Sequence, residues 1–434
     1  MPKQIFYDGL NLSLKKGTGI ATYTRVLVGL ARDLGYKSGV LYSRPSAMPR
    51  DELAREVAFF DADVVRTLPP PLRWIAGLGS FVSAARSIRP KRIPITGTVI
   101  TEPLGSSWVP SDEVYVASRI FDRARLRFML TGKFLQVKMP IDVDLFHWTY
   151  PLPITSNGRA NIYTVHDLIS LRLPYTSLDW KGLYLRSMRK MLKKADHVLT
   201  VSEHSKRDVM TYFGVEESRI TNTYEAVSIP KPFLERGSGA IANELAGIFG
   251  LEMGNYLLFY GSLEPKKNIG RIVQAYVAAN VKMPLVVVFA QSWLGEDDSR
   301  LINQVMAQKN TDSWHGRIHR YEYMPIERLM TLIQGARAVL FPSIYEGFGL
   351  PILEAMTLGT PVVTSTTSSS PEIAGDAAVL VDPYDVDAIR RAIISVVNDQ
   401  DLCSELQIKG LDRAKLFSLD AYRERIGKVY AAYT

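Results

Sequence analysis

Cysteine is almost absent: Cys403 is the only one in 434 residues. A single thiol excludes an intramolecular disulfide and any multi-cysteine metal site, and it fits a reducing compartment. Long apolar runs are missing too. No uncharged stretch approaches the roughly 20 residues that span a bilayer. The nearest, WIAGLGSFVSAA from Trp74 to Ala85, is bounded by Arg73 and Arg86 and would lie on a membrane rather than cross it. The amino terminus, MPKQIFYDGL, has neither the apolar core nor the small-residue cleavage site of a secretory signal, so a cytoplasmic chain is expected. There is no low-complexity tract and no short repeat, which sets aside disordered and solenoid readings. Nor is there a Walker A sequence. The glycine pairs at Gly17 and Gly347 both miss the last glycine of a dinucleotide fingerprint, having Thr22 and Ile352 there.

What is present is an ordinary globular composition, 47% hydrophobic and 22% charged, in a chain long enough for two domains. The net charge of +8 favours an anionic partner, whether a phosphorylated ligand, an acidic membrane surface or a nucleic acid. Short β-branched runs alternate with helical patterns, the grammar of parallel sheets with crossover helices. In the second half, Tyr256 to Ser262, Pro284 to Ala290 and Ala338 to Ser343 read as strands, and LPILEAMTLG as a helix closed by Gly359. In the first half, Asn161 to Val165 and His197 to Ser202 read as strands, with Ser202 placed to cap the next helix. The stretch from Val227 to Gly250 carries two prolines and a Gly-Ser-Gly, which marks a linker. We expect an α/β protein of two facing doubly wound domains: residues 1–230, a linker at 231–250, residues 251–412, and a final helix at 413–434.

The segment YEGFGLPILEAMTLGTPVV, Tyr345 to Val363, sets Glu346 and Glu354 eight residues apart in apolar surroundings. Buried carboxylates cost several kcal/mol, of the order of 3–5, when left without a partner, so two in one apolar run suggest a protein or ligand partner. Glu346 falls in the turn after a strand, at the sheet edge where open α/β folds bind ligands. Gly347 and Gly349 let the backbone come close, and the helix from Leu350 points its free N–H groups at the same place, a seat for phosphate. The plainer alternative is a capping Glu and a surface-paired Glu. Three scattered D-x-D pairs, at Asp61, Asp142 and Asp385, adjoin none of the glycine loops, so no metal ligand set is expected. In KGLYLRSMRKMLKKAD, Tyr184, Met188, Met191 and Leu192 share one helical face, with Arg186, Arg189, Lys190, Lys193 and Lys194 around the other. That pattern is a core helix with a solvated basic face or a dock for acidic lipid. Nucleic-acid binding is not expected, since no recognised module accompanies the charge.

FPSIYEGFGLPILEAMTLGTPVV resembles the E-x7-E segment of retaining glycosyltransferase family 4, whose fold is GT-B. The resemblance continues in YGSLEPKKNIGRIVQAY, YMPIERLMTLIQGARAVLFPS, SSSPEIAGDAAVLVDPYDVDAI, YTVHDLIS and ADHVLTVSEHSKRDV, from about Phe146 to the end. Residues 40 to 140 match no named pattern. The resemblance implies that Glu346 touches hydroxyls of a donor sugar beside the backbone of Phe348, Gly349 and Leu350, and that Glu354 binds the nucleotide ribose. It implies that Lys267, helped by Lys266, neutralises the donor diphosphate at the loop of Gly261 and Ser262. Many members have Arg where this chain has Ser262. His166 is implied near the sugar and its leaving phosphate, and Gly17, Thr18 and Gly19 beside acceptor and phosphate. The implied substrates are a nucleotide diphosphate sugar and a saccharide or lipid-linked acceptor, with no cofactor and no metal. GSLEPKKN with TVHDL is most similar to bacterial mannosyltransferases of O-antigen and other surface polysaccharides, which implies GDP-mannose and a peripheral place on the cytoplasmic membrane. A non-hydrolysing UDP-sugar epimerase and a nucleotide-sugar-binding regulator are the alternatives.

Overall fold

A computed structural model describes residues 2–13, 19–44, 49–61, 87–99, 108–176, 180–290, 317–322 and 324–434. Gly17 and Thr18, and the apolar run Trp74 to Ala85, lie outside these residues. The described residues form two parallel sheets, as expected of the doubly wound pattern.

The first sheet contains β1 (Gln4–Asp8), β2 (Lys37–Arg44), β3 (Lys91–Arg92), β4 (Glu113–Ser118), β6 (Leu145–Trp148), β8 (Ala160–Val165), β9 (His197–Thr200) and β10 (Ile220–Asn222). Strands β5 (Leu135–Val137) and β7 (Ile154–Ser156) pair apart from it. Its order is β10-β9-β8-β6-β1-β2-β4-β3, with only the short edge pair β3–β4 antiparallel. The second sheet contains β11 (Leu257–Ser262), β12 (Leu285–Ala290), β13 (Ile318–Tyr321), β14 (Ala338–Phe341), β15 (Val362–Ser365) and β16 (Val379–Val381), in the order β13-β12-β11-β14-β15-β16. In each sheet the winding reverses once, between β1 and β6 and between β11 and β14. Those reversals open the crevices in which such sheets bind ligands.

Strands β8, β9 and β14 are buried along their whole length, which is why they read as unbroken apolar runs rather than alternating ones. One apolar cluster runs from Ile5 and Leu27 through Phe417 and Tyr422 to Leu258 and Phe341, joining the facing sides of the two sheets. Separate clusters cover their outer faces, around Phe146 and Met188 and around Phe259 and Ile393. The last helix, Leu419–Tyr433, starts six residues later than expected and buries Tyr422, Ile426, Val429 and Tyr430. It packs on the first sheet: the Tyr430 hydroxyl lies 3.1 Å from that of Tyr7, and Arg425 Nε donates to the Thr223 carbonyl at 2.9 Å.

The amphipathic helix Lys181–Lys194 buries Met188, Met191 and Leu192. Part of its basic face has a structural task. Arg186 and Lys190 donate to the carbonyls of Phe128, Met129 and Gly132, which end the helix Ile120–Thr131. Arg189, Lys193 and Lys194 remain exposed. Two of the D-x-D pairs have local uses as well: Asp144 accepts from the Gln4 N–H at 2.8 Å, and Asp385 caps the helix Val386–Asn398, while Asp63 of the third lies outside the described residues.

Candidate active site

Strand β11 closes on Gly261, whose φ of 149° favours a residue without Cβ, and Ser262, its last residue, where SLEPKKN begins. Ser262 Oγ donates to Glu264 at 2.6 Å, and Glu264 lies 3.5 Å from Lys266 Nζ. Burial lowers the proton affinity of Lys266, but Glu346, Asp167 and Glu264 outweigh it, so its ammonium is held above the ordinary lysine range. Lys267 Nζ pairs with Glu346 Oε1 at 2.7 Å and rests 4.7 Å from the centre of the Phe341 ring. Both partners are largely buried, at 12% and 8% exposure, so water screens the pair weakly.

Glu346 belongs to the turn after β14. The turn is held by two serines: Ser368 Oγ accepts the Glu346 N–H at 3.0 Å, and Ser369 Oγ donates to the carbonyls of Glu346 and Phe348 at 3.0 and 2.7 Å. Phe348 turns its ring away, against Tyr224 and Phe417, leaving only its backbone at the turn. Gly349, at φ 114°, starts the helix Leu350–Thr357. Glu354, about one turn along, accepts from the Tyr260 hydroxyl at 3.0 Å. Burial raises its carboxyl above the ordinary range, partly offset by that hydrogen bond and by Lys267.

The first sheet meets this turn directly. A Cβ on Gly347 would come within 2.5 Å of the His166 carbonyl oxygen, and the Gly347 carbonyl accepts from Ser202 Oγ at 2.7 Å. Tyr345 donates to Asp208 at 2.8 Å. Glu372 accepts the N–H groups of Glu203 and His204 at 2.6 and 3.0 Å, capping from the second half a helix that Ser202 caps from the first. Gly19, at the head of the helix Gly19–Asp33, faces Leu350, whose Cδ1 would lie 3.5 Å from an added Cβ.

His166 follows β8, with Nδ1 3.0 Å from Glu225 Oε1 and Nε2 3.0 Å from the Thr149 carbonyl oxygen. Both ring nitrogens are engaged within the chain, and what the residue turns toward Gly347 is its own carbonyl. The contacts thus bring Glu346, Lys266, Lys267, Gly261, Ser262, Phe348, Gly349, Leu350, Glu354, the His166 carbonyl and Gly19 to the carboxyl edge of the second sheet where it meets the first half. Among the described residues no group of three or more His, Cys, Asp or Glu is arranged to hold a metal ion.

Sequence reasoning missed Ser368 and Ser369, Ser202 as a partner of Gly347, Tyr260 and Glu225. Glu225 carried a usable signal, an acid three residues after a strand, beyond its carboxyl end. The serine contacts carried none, because Ser202 and Gly347 are 145 positions apart.

Comparison with known proteins bears on these features. Residues 100–229 match the family model described as Glycosyltransferase Family 4, and residues 244–413 that of Glycosyl transferases group 1. The O-antigen chain mannosyltransferase B of Escherichia coli is 35% identical over 262 residues, covering 59% of this chain and 66% of that protein. The O-antigen chain mannosyltransferase RfbU of Salmonella typhimurium is 27% identical over 59% of this chain and 65% of its own length. The match therefore spans just under two thirds of each relative. Among solved structures, sucrose-phosphate synthase from Thermosynechococcus elongatus aligns over 99% of this chain and 98% of its own with a TM-score of 0.65 at 17% identity. Anabaena HepE in complex with UDP and glucose aligns over 100% of both chains with a TM-score of 0.64 at 15% identity. The two family models divide the chain as its two sheets do, and the chain belongs to the family 4 glycosyltransferases, with their GT-B fold.

Proposed function

We propose that the chain transfers a sugar, with retention, from a nucleotide diphosphate sugar to a saccharide hydroxyl, and that the donor is GDP-mannose. The observation that carries this reading is the Lys267–Glu346 pair at 2.7 Å, beside the winding reversal of the second sheet and about one helical turn from Glu354. In this reading residues 251–412 bind the donor and residues 1–230 the acceptor.

The donor diphosphate competes with Glu346 for Lys267 and lies at the N-terminus of the helix Leu350–Thr357, with Gly261 giving it clearance. As the bond from the sugar C1 to the phosphate oxygen breaks, the diphosphate takes the electron pair, and Lys267, Lys266 and the helix N-terminus stabilise its charge. The acceptor oxygen bonds to C1 from the same face and passes its proton to the departing phosphate. Glu346, released from Lys267, grips sugar hydroxyls, and Glu354 takes the ribose diol. No cofactor or metal is needed, since the cations are built in. Excess chelator should leave most of the activity; complete loss restored by manganese or magnesium would overturn that part.

Three observations support the finer assignments. The relatives named as mannosyltransferases support mannose and a role in surface polysaccharide synthesis. A recess of about 180 Å3 lined by Arg125, Tyr150, Trp180 and Tyr184 offers aromatic faces and polar groups suited to a saccharide ring, one residue beyond Thr149. No described helix is long and apolar enough to cross a membrane, and the exposed Arg189, Lys193 and Lys194 suit peripheral contact with acidic lipid on the cytoplasmic side. The test is a panel of nucleotide sugars with and without a glycan acceptor, read as released diphosphate and glycosylated product. Acceptor-dependent product from GDP-mannose is expected. Interconversion of a UDP-sugar without acceptor would show an epimerase instead, and tight binding without any turnover a regulator.

A further inference from the structure

We propose that Glu225 is a positioning residue: it holds His166 as an imidazolium and, through it, fixes the turn against which the Glu346 loop is seated. A neutral imidazole has one N–H and one lone pair, so it serves one donor and one acceptor. His166 faces two acceptors, Glu225 Oε1 and the Thr149 carbonyl oxygen, each at 3.0 Å. Only a ring with a proton on both nitrogens satisfies an ionised Glu225 and that carbonyl together. The alternative, a proton moved onto Glu225, leaves a neutral pair, and the surroundings oppose it. The acid Asp167 is the next residue in the chain and favours positive charge on the ring. From β6, His147 adds no positive charge, because burial pushes its ring down to about 3. From the first helix Tyr23 stands edge-on to His166 at 4.8 Å, and Tyr422 of the last helix packs behind it; both are held neutral by burial.

The ring is tied to the backbone that matters. The His166 carbonyl accepts from Ser205 Oγ at 2.8 Å and lies where a Cβ on Gly347 would clash. Gly347 is in turn joined to Ser202 and precedes the serine-held Phe348 carbonyl. Glu225 itself follows Tyr224, a non-glycine residue at φ 59° whose ring packs on Phe348 and Phe417. It sits where the chain leaves the first sheet, the right place to set one half against the other.

The consequence for activity rests on the proposed function; the protonation state does not, and the experiment separates the two. The full chain with ring-labelled histidine is titrated by NMR, and His166, one of six histidines, is assigned from the spectrum of His166→Gln. We expect His166 to carry both protons at neutral pH and to lose one only above the ordinary histidine value of about 6.5. Glu225→Gln should lower that midpoint by about one pH unit or more, a tenfold loss of proton affinity, and move the alkaline limb of kcat/KM down with it, with nucleotide affinity unchanged. Glu225→Asp should restore part of the shift. A wild-type ring that is singly protonated at neutral pH, or a midpoint that Glu225→Gln leaves in place, overturns the proposal. If no nucleotide sugar is turned over, the NMR midpoints still decide it, and only the functional reading fails.

Discussion

His147 lies in β6 and His166 directly after the neighbouring β8, both nearly shut off from water, yet their proton affinities are shifted in opposite directions. His147 has hydroxyls on both sides, Tyr430 on Nδ1 and Thr164 on Nε2, each at 2.7 Å. A hydroxyl can donate or accept, so a neutral ring is satisfied, and burial takes the ring down to about 3. His166 has a carboxylate and a carbonyl, which only accept; burial lowers its proton affinity too, but Glu225, the Thr149 carbonyl and Asp167 more than restore it. Burial alone therefore does not set the charge of a histidine; the kind of hydrogen-bond partner does. The second half repeats the contrast in its carboxylates. Glu346 is matched to an ammonium, whereas Glu354 is matched to a tyrosine hydroxyl.

The strongest way to break the comparison is Glu225→Ala. Removing one partner of a buried pair costs about 3–5 kcal/mol. Because the folded pKa of His166 lies above its unfolded value of about 6.5, the stabilisation is fully present below that value and is lost as pH rises through the folded one. Urea unfolding should thus show the full loss at pH 6 and a smaller one at pH 8.5; equal losses would mean the ring is neutral. Next comes Glu346→Gln, which removes a charge-assisted contact of about 1.5–3 kcal/mol, so turnover should fall roughly ten- to hundredfold with nucleoside diphosphate affinity kept or raised, since Lys267 loses its competitor. Glu354→Ala should do the reverse, and equal losses of affinity in both would end the division of labour between the two acids.

His147→Phe sharpens the other side. Tyr7 and Tyr23 still reach the stranded hydroxyls of Tyr430 and Thr164, so the loss should be about 1–2 kcal/mol. Because the folded ring titrates at about 3 and the unfolded one at about 6.5, the loss should be full at pH 8 and smaller at pH 5, where the unfolded ring takes up a proton that the folded ring does not; equal losses at the two pH values would show that His147 charges freely in the fold. The smallest effect is expected from Tyr260→Phe, about 1 kcal/mol for the loss of a hydroxyl proton shared between the Pro351 carbonyl and the Glu354 carboxyl. Its informative readout is nucleotide affinity, which should change with Glu354 freed from the hydroxyl, while turnover at saturating donor stays close to normal.

Much of the second half was legible in advance. Leu257–Ser262, Leu285–Ala290 and Ala338–Phe341 lie within a residue or two of the apolar runs that announced them, because strands covered on both faces have little freedom in composition. In the first half, β2 and β4 were not read, since their buried runs are short and are flanked by the polar ends Lys37, Arg44 and Glu113. Of the candidate site, the loop SLEPKKN and the two acids Glu346 and Glu354 were visible because strand, glycine turn and helix follow one another within a few residues.

Sequence alone determined that local grammar: which turns lie at a sheet edge, which helix points its N–H groups outward, and which residues could meet a phosphate. Only the tertiary structure decided what each polar group faces. Glu225 reaches His166 across 59 positions and Tyr430 reaches His147 across 283. Whether a buried ring is charged depends on whether its neighbour can give a proton or only accept one, and spacing along the chain carries no trace of that neighbour.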